Sequence, residues 1–182
     1  MIKATIPVEE AQRLQALVRL EILDSGSEPL FDAITRLAAR LYKTDISTIS
    51  LIDANRQWFK ACVGLNTRET AREPAFCGYA ITQKDVMIVH DALDDQRFWD
   101  NPFVTGPPFI RFYAGAPLVT SDGYAVGTLC VIDREPRAPG SIDRHALKEL
   151  AGITIGLIEK RLENRLLAER LRRANVNAAA LG

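Results

Sequence analysis

The chain has 182 residues, of which 47% are apolar and 25% are charged, values typical of one ordinary globular domain. Its 23 basic and 23 acidic residues cancel, so it lacks the basic excess of a nucleic-acid-binding domain, and no nucleic-acid partner is expected. It contains neither an apolar run of about 18 residues, as a membrane span needs, nor a signal peptide at its start, which predicts a cytoplasmic protein with no membrane partner.

Two amphipathic helices are predicted at the beginning of the chain. Apolar residues recur at helical spacing over residues 8–23, and the turn-forming residues 24–26 follow them. Pro29 then suits the first turn of a second helix that ends near Tyr42.

Two β-hairpins are predicted in the middle of the chain. The strings ISTISLID and QWFKACV flank the turn DANR, and the strings RFYAGAPLVT and YAVGTLCVID flank the turn SDG. Between the hairpins, FCGYAIT resembles a short helix and VMIVHDA a short buried strand. Residues 94–108 contain three prolines, so we expect a structured loop there. The second hairpin is expected to form the centre of the sheet.

A long helix is predicted from about Ser141 to Arg173, because no helix-ending signal interrupts this segment. Its first half is broadly apolar, whereas its second half carries only a narrow leucine stripe among charged residues, formed by Leu162, Leu166, Leu167 and Leu171. Such a stripe indicates pairing with another helix, most simply in a parallel homodimer. The alternative is that it covers the N-terminal helix of its own chain.

This order of elements predicts an α+β fold, in which an antiparallel sheet carries helices stacked on one face. The chain's cysteines, Cys62, Cys77 and Cys130, are widely spaced in apolar sequence, which favours buried thiols over a reactive thiol or a redox pair. His90 and His145 have no metal-binding motif around them, so no metal site is expected.

Several strings, in this order, closely resemble bacterial GAF domains that precede diguanylate cyclases and histidine kinases: EILDSGSEPLFDAITRLAARLY, SLIDANRQWFKACVGL, ETAREPAFCGYAI, RFWDNPFV and IRFYAGAPLVTSDGYAVGTLCVID. The resemblance extends over about residues 7–159. It implies a GAF-like antiparallel central sheet, with the N- and C-terminal helices packed on one face and loops over a pocket on the other. It therefore predicts a GAF domain over residues 1–159, including the helix 8–23, and a projecting, coiled-coil-like helix and tail over residues 160–182.

The function that this resemblance implies is small-molecule sensing in bacterial signal transduction. The domain would act through its terminal helices as a homodimer, on a downstream diguanylate cyclase or kinase, and would not itself be an enzyme. The ligand and any cofactor stay unidentified, and no catalytic residue is assigned. One alternative is a structural dimerisation module whose pocket is filled by aromatic side chains. Another is a thiol-dependent free methionine sulfoxide reductase, which shares the fold.

In related domains the pocket lies between the sheet and the loops that join its middle strands, here residues 64–81 and 91–109. The predicted ligand-binding residues are aromatic, polar or thiol side chains in or beside these loops: Trp58, Phe76, Cys77, Tyr79, Phe98, Asn101, Arg111 and Tyr113. Neighbours on a strand point to opposite faces, so only one of Trp58 and Phe59 reaches a ligand.

Arg111 and Tyr79 raise separate questions about the chemistry of this pocket. The Arg111 guanidinium offers a planar, charged fork for a carboxylate or phosphate, unless it instead pairs with an aspartate of residues 94–100 and fixes that loop. Tyr79 stands where many relatives carry a histidine. Because a phenol titrates near pH 10 and rarely binds a metal alone, a metal or proton-transfer role of that histidine is not expected here.

Overall fold

The computed structural model describes residues 2–179 and contains one six-stranded antiparallel sheet with the strand order β3-β2-β1-β6-β5-β4. The strands are β1 Ile46–Ile52, β2 Arg56–Val63, β3 Glu69–Ala71, β4 Met87–Val89, β5 Phe112–Val119 and β6 Ala125–Asp133. The helices are α1 Glu10–Arg19, α2 Pro29–Tyr42, α3 Phe76–Ala80, α4 Pro102–Thr105 and α5 Arg144–Ala179. The predicted α+β fold is confirmed.

Alternation along the strands gives the sheet two buried faces. On β5, Phe112 belongs to a core shared with α1, α2 and α5, whereas Tyr113 belongs to a second core shared with α3 and the loop before β5. On β6, Val131 faces the first core, and Cys130 and Ile132 face the second. Successive side chains of a strand point to opposite faces, so β5 and β6 each contribute to both cores.

The three longer helices cover one face of the sheet. The helix α2 packs on β1 and β2, α5 packs on β5 and β6, and α1 packs against β6. In α5 the residues that face the sheet are buried, as the repeat Leu147, Ala151, Ile155 and Ile158 shows. Beyond this repeat, α5 extends away from the sheet, and Leu167 and Leu171 are more than half exposed.

The end of α1 and both ends of α5 differ from the predictions; the last of these lies at Ala179 rather than at Arg173. The helix α1 ends at Arg19 rather than at residue 23, because Glu21 and Asp24 adopt left-handed backbone conformations, and this turn places Ile22 fully inside the core. The helix α5 begins at Arg144, where Asp143 caps it by accepting a hydrogen bond from the backbone N–H of Ala146 at 3.0 Å. Apolar burial in the first case and capping in the second determined the boundary.

The prediction that the second hairpin forms the sheet centre is wrong for β5. The central pair is β1 and β6, and β5 lies between β6 and the short edge strand β4. The pairing of β1 with β6 joins the two hairpins, and no local pattern specifies such a long-range contact. The predicted loop 94–108 also contains the short helix α4, which Asn101 caps.

A buried charge network joins α1 to the turn after β3. The Glu10 carboxylate accepts hydrogen bonds from Arg13 at 2.8 Å and from Arg72 at 2.6 Å, and Arg72 also donates to the Asp53 carbonyl at 3.1 Å. Burial by itself raises the pKa of Glu10, but these hydrogen bonds and the two positive charges lower it from 4.5 to about 2. The network fixes α1 relative to the β1–β2 hairpin.

Candidate functional site

A cavity of about 360 Å³ lies on the face of the sheet opposite the long helices. Its floor is formed by β1, β2, β5 and β6, and α3 forms one wall. Residues 65–70 and residues 103–110 close it from the outside. This volume lies within the range that holds small-molecule ligands in proteins, about 300–1,000 Å³.

The lining of the cavity is apolar with a few uncharged polar groups. Its apolar side chains are Phe59, Leu65, Ala75, Phe76, Phe103, Pro107, Pro108, Ile110 and Ile132, and its polar ones are Thr48, Gln57, Asn66, Thr67, Thr70, Cys77 and Tyr113. Within the described part of the chain, no acidic, basic or histidine side chain lines this cavity. Gln57 is buried, and its Oε1 has no hydrogen-bond partner, while its Nε2 donates to Thr70 at 3.2 Å.

Aromatic packing makes the α3 wall rigid. The rings of Phe76 and Phe98 stack with 3.9 Å between their centroids, and Tyr79 meets Phe98 edge-on at 4.8 Å. Phe76 also contacts Tyr113 at 5.3 Å, so the wall is continuous with the floor. An edge-on pair such as that of Tyr79 and Phe98 adds about 0.5–1.5 kcal/mol to the free energy of area burial.

Thiol and hydroxyl groups cluster beneath the cavity. The Sγ atoms of Cys77 and Cys130 lie 3.9 Å apart, the Tyr113 hydroxyl donates to Cys77 Sγ at 3.4 Å, and Thr48 Oγ1 lies 3.0 Å from Cys130 Sγ. Burial raises the pKa of Cys77, but hydrogen bonds from Cys130 and Tyr113, among others, lower it to about 7. The hydrogen bond to Cys77, together with burial, raises the pKa of Cys130 well above its usual range.

The model of the GAF domain family matches residues 27–154, which is most of the chain. The chain belongs to the GAF domain family. A cyclic di-GMP phosphodiesterase of Pseudomonas aeruginosa is 49% identical to it over 133 residues, which are 73% of this chain and 23% of that protein. The chain thus spans less than a quarter of the length of this relative.

Solved structures of GAF domains share the fold at low sequence identity. The blue-light absorbing PixJ GAF domain of Thermosynechococcus elongatus aligns with a TM-score of 0.60 at 15% identity, over 93% of this chain and 98% of its own. The free methionine-R-sulfoxide reductase of Neisseria meningitidis aligns with a TM-score of 0.59 at 17% identity, over 92% of this chain and 98% of its own. The resemblance of this chain to GAF domains is therefore confirmed.

Three of the predicted site residues of this GAF domain line the cavity. Phe76 and Cys77 come from α3, and Tyr113 comes from β5. Trp58 does not line it, because it faces the opposite side of the sheet and packs in the core under the long helices. Its neighbour Phe59 lines the cavity instead.

The other predicted residues lie around the cavity, where each has a structural contact. Tyr79 donates its hydroxyl hydrogen bond to the Ile2 carbonyl, and Phe98 is fully buried behind Phe76. Asn101 accepts from the backbone N–H of Phe103 at 2.8 Å and donates to the Pro74 carbonyl at 2.9 Å, so it joins α4 to the turn before α3.

Arg111 binds backbone oxygens rather than facing the cavity. Its Nη1 donates to the carbonyls of Val104 and Ile110, each at 3.0 Å. The guanidinium therefore holds the loop through these two carbonyls. The loop 103–110 is thus fastened at the base of β5.

Two groups of lining residues were missed by sequence reasoning. Gln57 and Phe59 follow from strand alternation once Trp58 is assigned to the helix face, so that signal was present. Leu65 and Asn66 lie on a loop and Phe103 lies on the short helix α4, and only the tertiary fold brings these side chains over the sheet.

Residues 2–179 contain no group of three or more histidine, cysteine, aspartate or glutamate side chains arranged to hold a metal ion. Within the same residues, no helix combines the length and apolarity that a membrane span requires.

Proposed function

We propose that this GAF domain binds a small uncharged molecule in the 360 Å³ cavity and passes the binding event to a linked output unit through α5. The observation that carries the proposal is a cavity of ligand size whose lining is aromatic, aliphatic and polar without charge. The open volume also favours binding over a structural module with a filled pocket.

The lining determines the chemical class of the ligand. Burying a carboxylate, phosphate or ammonium group without a charged partner is strongly unfavourable, and the described lining residues offer no such partner. Arg111, the predicted anion-binding residue, does not line the cavity, and its Nη1 donates to two backbone carbonyls. The unpaired Oε1 of Gln57 favours a ligand that carries an N–H or O–H donor.

The same lining argues against catalysis on free methionine sulfoxide. Two structural neighbours are free methionine-R-sulfoxide reductases, but at 15% and 17% identity they share only the fold. A free amino acid carries both an ammonium and a carboxylate, and a pocket for it needs charged or strongly hydrogen-bonding partners for both. We therefore propose that this domain senses its ligand rather than converting it.

The path to the output runs through β5 and β6. Tyr113 and Ile132 are paired across these strands and line the cavity, while their neighbours Phe112 and Val131 share the opposite core with α5. A ligand that displaces the cavity floor therefore also acts on the surface that supports α5. To shift the equilibrium between two helix positions, the ligand must bind one of them more tightly.

We further propose that α2 and α5 form a homodimer interface. On α2, Leu30, Leu37 and Leu41 lie on one stripe and are each more than half exposed. On α5, Ile153, Leu167 and Leu171 are each more than half exposed, and their separations of 14 and 4 residues fit the a and d positions of a heptad repeat. Pairing of two copies in parallel would cover these side chains.

We propose that the output unit, which receives the signal through α5, acts on cyclic di-GMP. The support is the 49% identical relative, which is named a cyclic di-GMP phosphodiesterase and of which this chain spans 23%. A linked or separate unit would carry that activity, and the sequence-based expectation of a diguanylate cyclase or kinase output is compatible with the same helical connection.

The ligand proposal is tested with two dyes that differ in one charged group. Phenylnaphthylamine is uncharged, apolar and carries one N–H donor, whereas anilinonaphthalenesulfonate adds a sulfonate to the same skeleton. We expect fluorescence titration to show at least about tenfold tighter binding of the uncharged dye, because the sulfonate would be buried without a cation. Equal affinities, or no binding of either dye, would contradict the proposal.

A pair of leucine substitutions locates the binding site. Ala75 lines the cavity and is buried, so Ala75→Leu is expected to occupy part of the cavity and abolish dye binding. Ala138→Leu adds the same side chain at an exposed position and should leave binding unchanged. Native mass spectrometry of the freshly purified proteins then provides a second test. A small molecule that remains bound to the wild type should be absent from Ala75→Leu.

A further inference from the structure

Two buried thiols from different elements face each other beneath the cavity. Cys77 lies on α3 and Cys130 on the central strand β6, and their Sγ atoms are 3.9 Å apart, with 3% and 0% of the residues exposed. Cys77 also lines the cavity, so the pair borders the space that a small molecule would enter. Cys62, the chain's third cysteine, is half-buried, and its Sγ donates to the backbone carbonyls of residues 63 and 65.

The hydroxyl groups around the pair distinguish its two members. The Tyr113 hydroxyl donates to Cys77 Sγ at 3.4 Å, which stabilises negative charge on that sulfur. Thr48 Oγ1 lies 3.0 Å from Cys130 Sγ and 2.7 Å from Ser50 Oγ, so Cys130 is held within a hydroxyl network on the far side. The lowered pKa of Cys77 and the raised pKa of Cys130 agree with this arrangement, since both place the thiolate on the cavity side.

We propose that Cys77 and Cys130 form an oxidant-sensitive pair, in which a small hydroperoxide entering the cavity oxidises Cys77 and Cys130 then closes an intramolecular disulfide. This redox proposal does not depend on the ligand proposed above, because the reaction requires only that a hydroperoxide enters the cavity and that the two sulfurs lie close together.

The chemistry uses one hydroperoxide for each disulfide. The Cys77 thiolate attacks one peroxide oxygen, the O–O bond breaks, and hydroxide leaves with the electron pair, so that Cys77 becomes a sulfenic acid. The hydroxide takes the proton that Cys77 released earlier. The Cys130 sulfur then attacks the sulfenic sulfur, the S–O bond breaks, and the expelled oxygen leaves as water with the Cys130 proton. With hydrogen peroxide, two thiols are oxidised and two water molecules form.

The bond would change the shape of the cavity. A disulfide is about 2.05 Å long, so the two sulfurs must approach by about 1.9 Å from their 3.9 Å separation. Because β6 is held between β1 and β5, we expect most of this movement in the short helix α3. The movement would draw Phe76 and Cys77 toward the sheet and narrow the cavity.

The test is a titration of the full chain with hydrogen peroxide, followed by denaturation, alkylation of free thiols with N-ethylmaleimide and intact mass spectrometry. We expect the wild type to lose about 2 Da and to retain one alkylatable thiol, at Cys62. Cys62→Ser is the matched control and should form the same disulfide with no thiol left. Peptide mapping of the wild type should recover Cys77 linked to Cys130, and dithiothreitol should release it.

Single substitutions separate the two steps. Cys130→Ser should stop at the sulfenic acid of Cys77, which dimedone traps, and Cys77→Ser should form no intramolecular disulfide. We expect Cys77 to react at least about tenfold faster than Cys62, whose pKa is raised by burial, because the thiolate is the reacting form. Wild-type protein in which Cys62 is oxidised while Cys77 and Cys130 both remain alkylatable would overturn the proposal. So would a disulfide that includes Cys62, and both results come from the wild type, independently of how the variants fold.

Discussion

A buried lysine in β2 provides the most direct test of how this fold is stabilised. The Lys60 side chain is fully covered, and its Nζ donates to Glu28 Oε1 at 2.6 Å, to the Gly26 carbonyl at 2.7 Å and to Ser25 Oγ at 2.9 Å. The ammonium also lies 5.2 Å from the centroid of the Phe31 ring. These contacts attach β2 to the connection between α1 and α2.

The expected loss in the free energy of unfolding on Lys60→Met depends on which contacts Glu28 keeps after the change. Methionine keeps an unbranched apolar stem but removes the charge and the donors. Removing one partner of a buried ion pair costs about 3–5 kcal/mol when the other charge is left alone. Here Glu28 keeps Arg161 Nε at 2.7 Å and is 37% exposed, so we expect about 2–3 kcal/mol. For a chain of this size, that corresponds to a fall in Tm of about 4–12 °C.

The measurement is urea denaturation of wild type, Lys60→Met and the control Lys148→Met, with thermal melts in parallel. Lys148 pairs with Asp85 at 3.4 Å on the surface, with more than half of both side chains exposed, so its variant should lie within about 0.5 kcal/mol of wild type. If Lys60→Met is no less stable than Lys148→Met, the unfavourable free energy of burying the ammonium must equal the favourable free energy of its three hydrogen bonds. That result would refute a net stabilisation by Lys60.

Three further predictions concern pH, the cavity floor and the helix seam. The folded-state pKa of Glu10, about 2, lies below its ordinary 4.5, so its contribution is fully present above about pH 4.5 and is lost as the pH falls toward 2; the stability difference from Glu10→Gln in urea should shrink across that range. Gly115→Ala should lower the free energy of unfolding by about 1–3 kcal/mol and weaken dye binding, because the new Cβ would lie 2.6 Å from Cζ of the buried Tyr113. The control Gly152→Ala has open space around it and should be neutral or stabilising in thermal melts, with unchanged dye titrations. The double variant Leu167→Glu/Leu171→Glu should be monomeric by light scattering where wild type is dimeric, and a wild-type monomer would contradict the proposed interface.

Local patterns predicted most of the secondary structure of this domain. Helical apolar spacing identified α2, and two runs of strand-forming residues around polar turns identified both hairpins. Predictions failed where long-range packing decided the result. The end of α1 depends on the burial of Ile22, and the central position of β6 depends on its pairing with β1.

The site was less predictable than the fold. Phe76, Cys77 and Tyr113 were identifiable because they lie on elements that the family resemblance places beside the pocket. Arg111 has the chemistry of an anion-binding residue, and only the path of the loop shows that it binds carbonyls instead. Side-chain chemistry indicates what a residue is able to bind, whereas the neighbouring backbone determines what it does bind.

The two proposals about the cavity converge on one strand. The residues Cys130 and Ile132 of β6 face the cavity side, and Val131 between them packs in the core that contains α5. Since alternate side chains of a strand share one backbone, a force on Cys130 from a disulfide and a force on Ile132 from a ligand would both act on the surface under α5. We therefore expect oxidation and ligand binding to be thermodynamically coupled, so that peroxide treatment of the wild type changes its dye affinity, while the same treatment of Cys77→Ser, which has no thiol to oxidise at the cavity, does not change the affinity of that variant. An unchanged affinity in fully oxidised wild type would separate the thiol pair from the signalling role of the cavity.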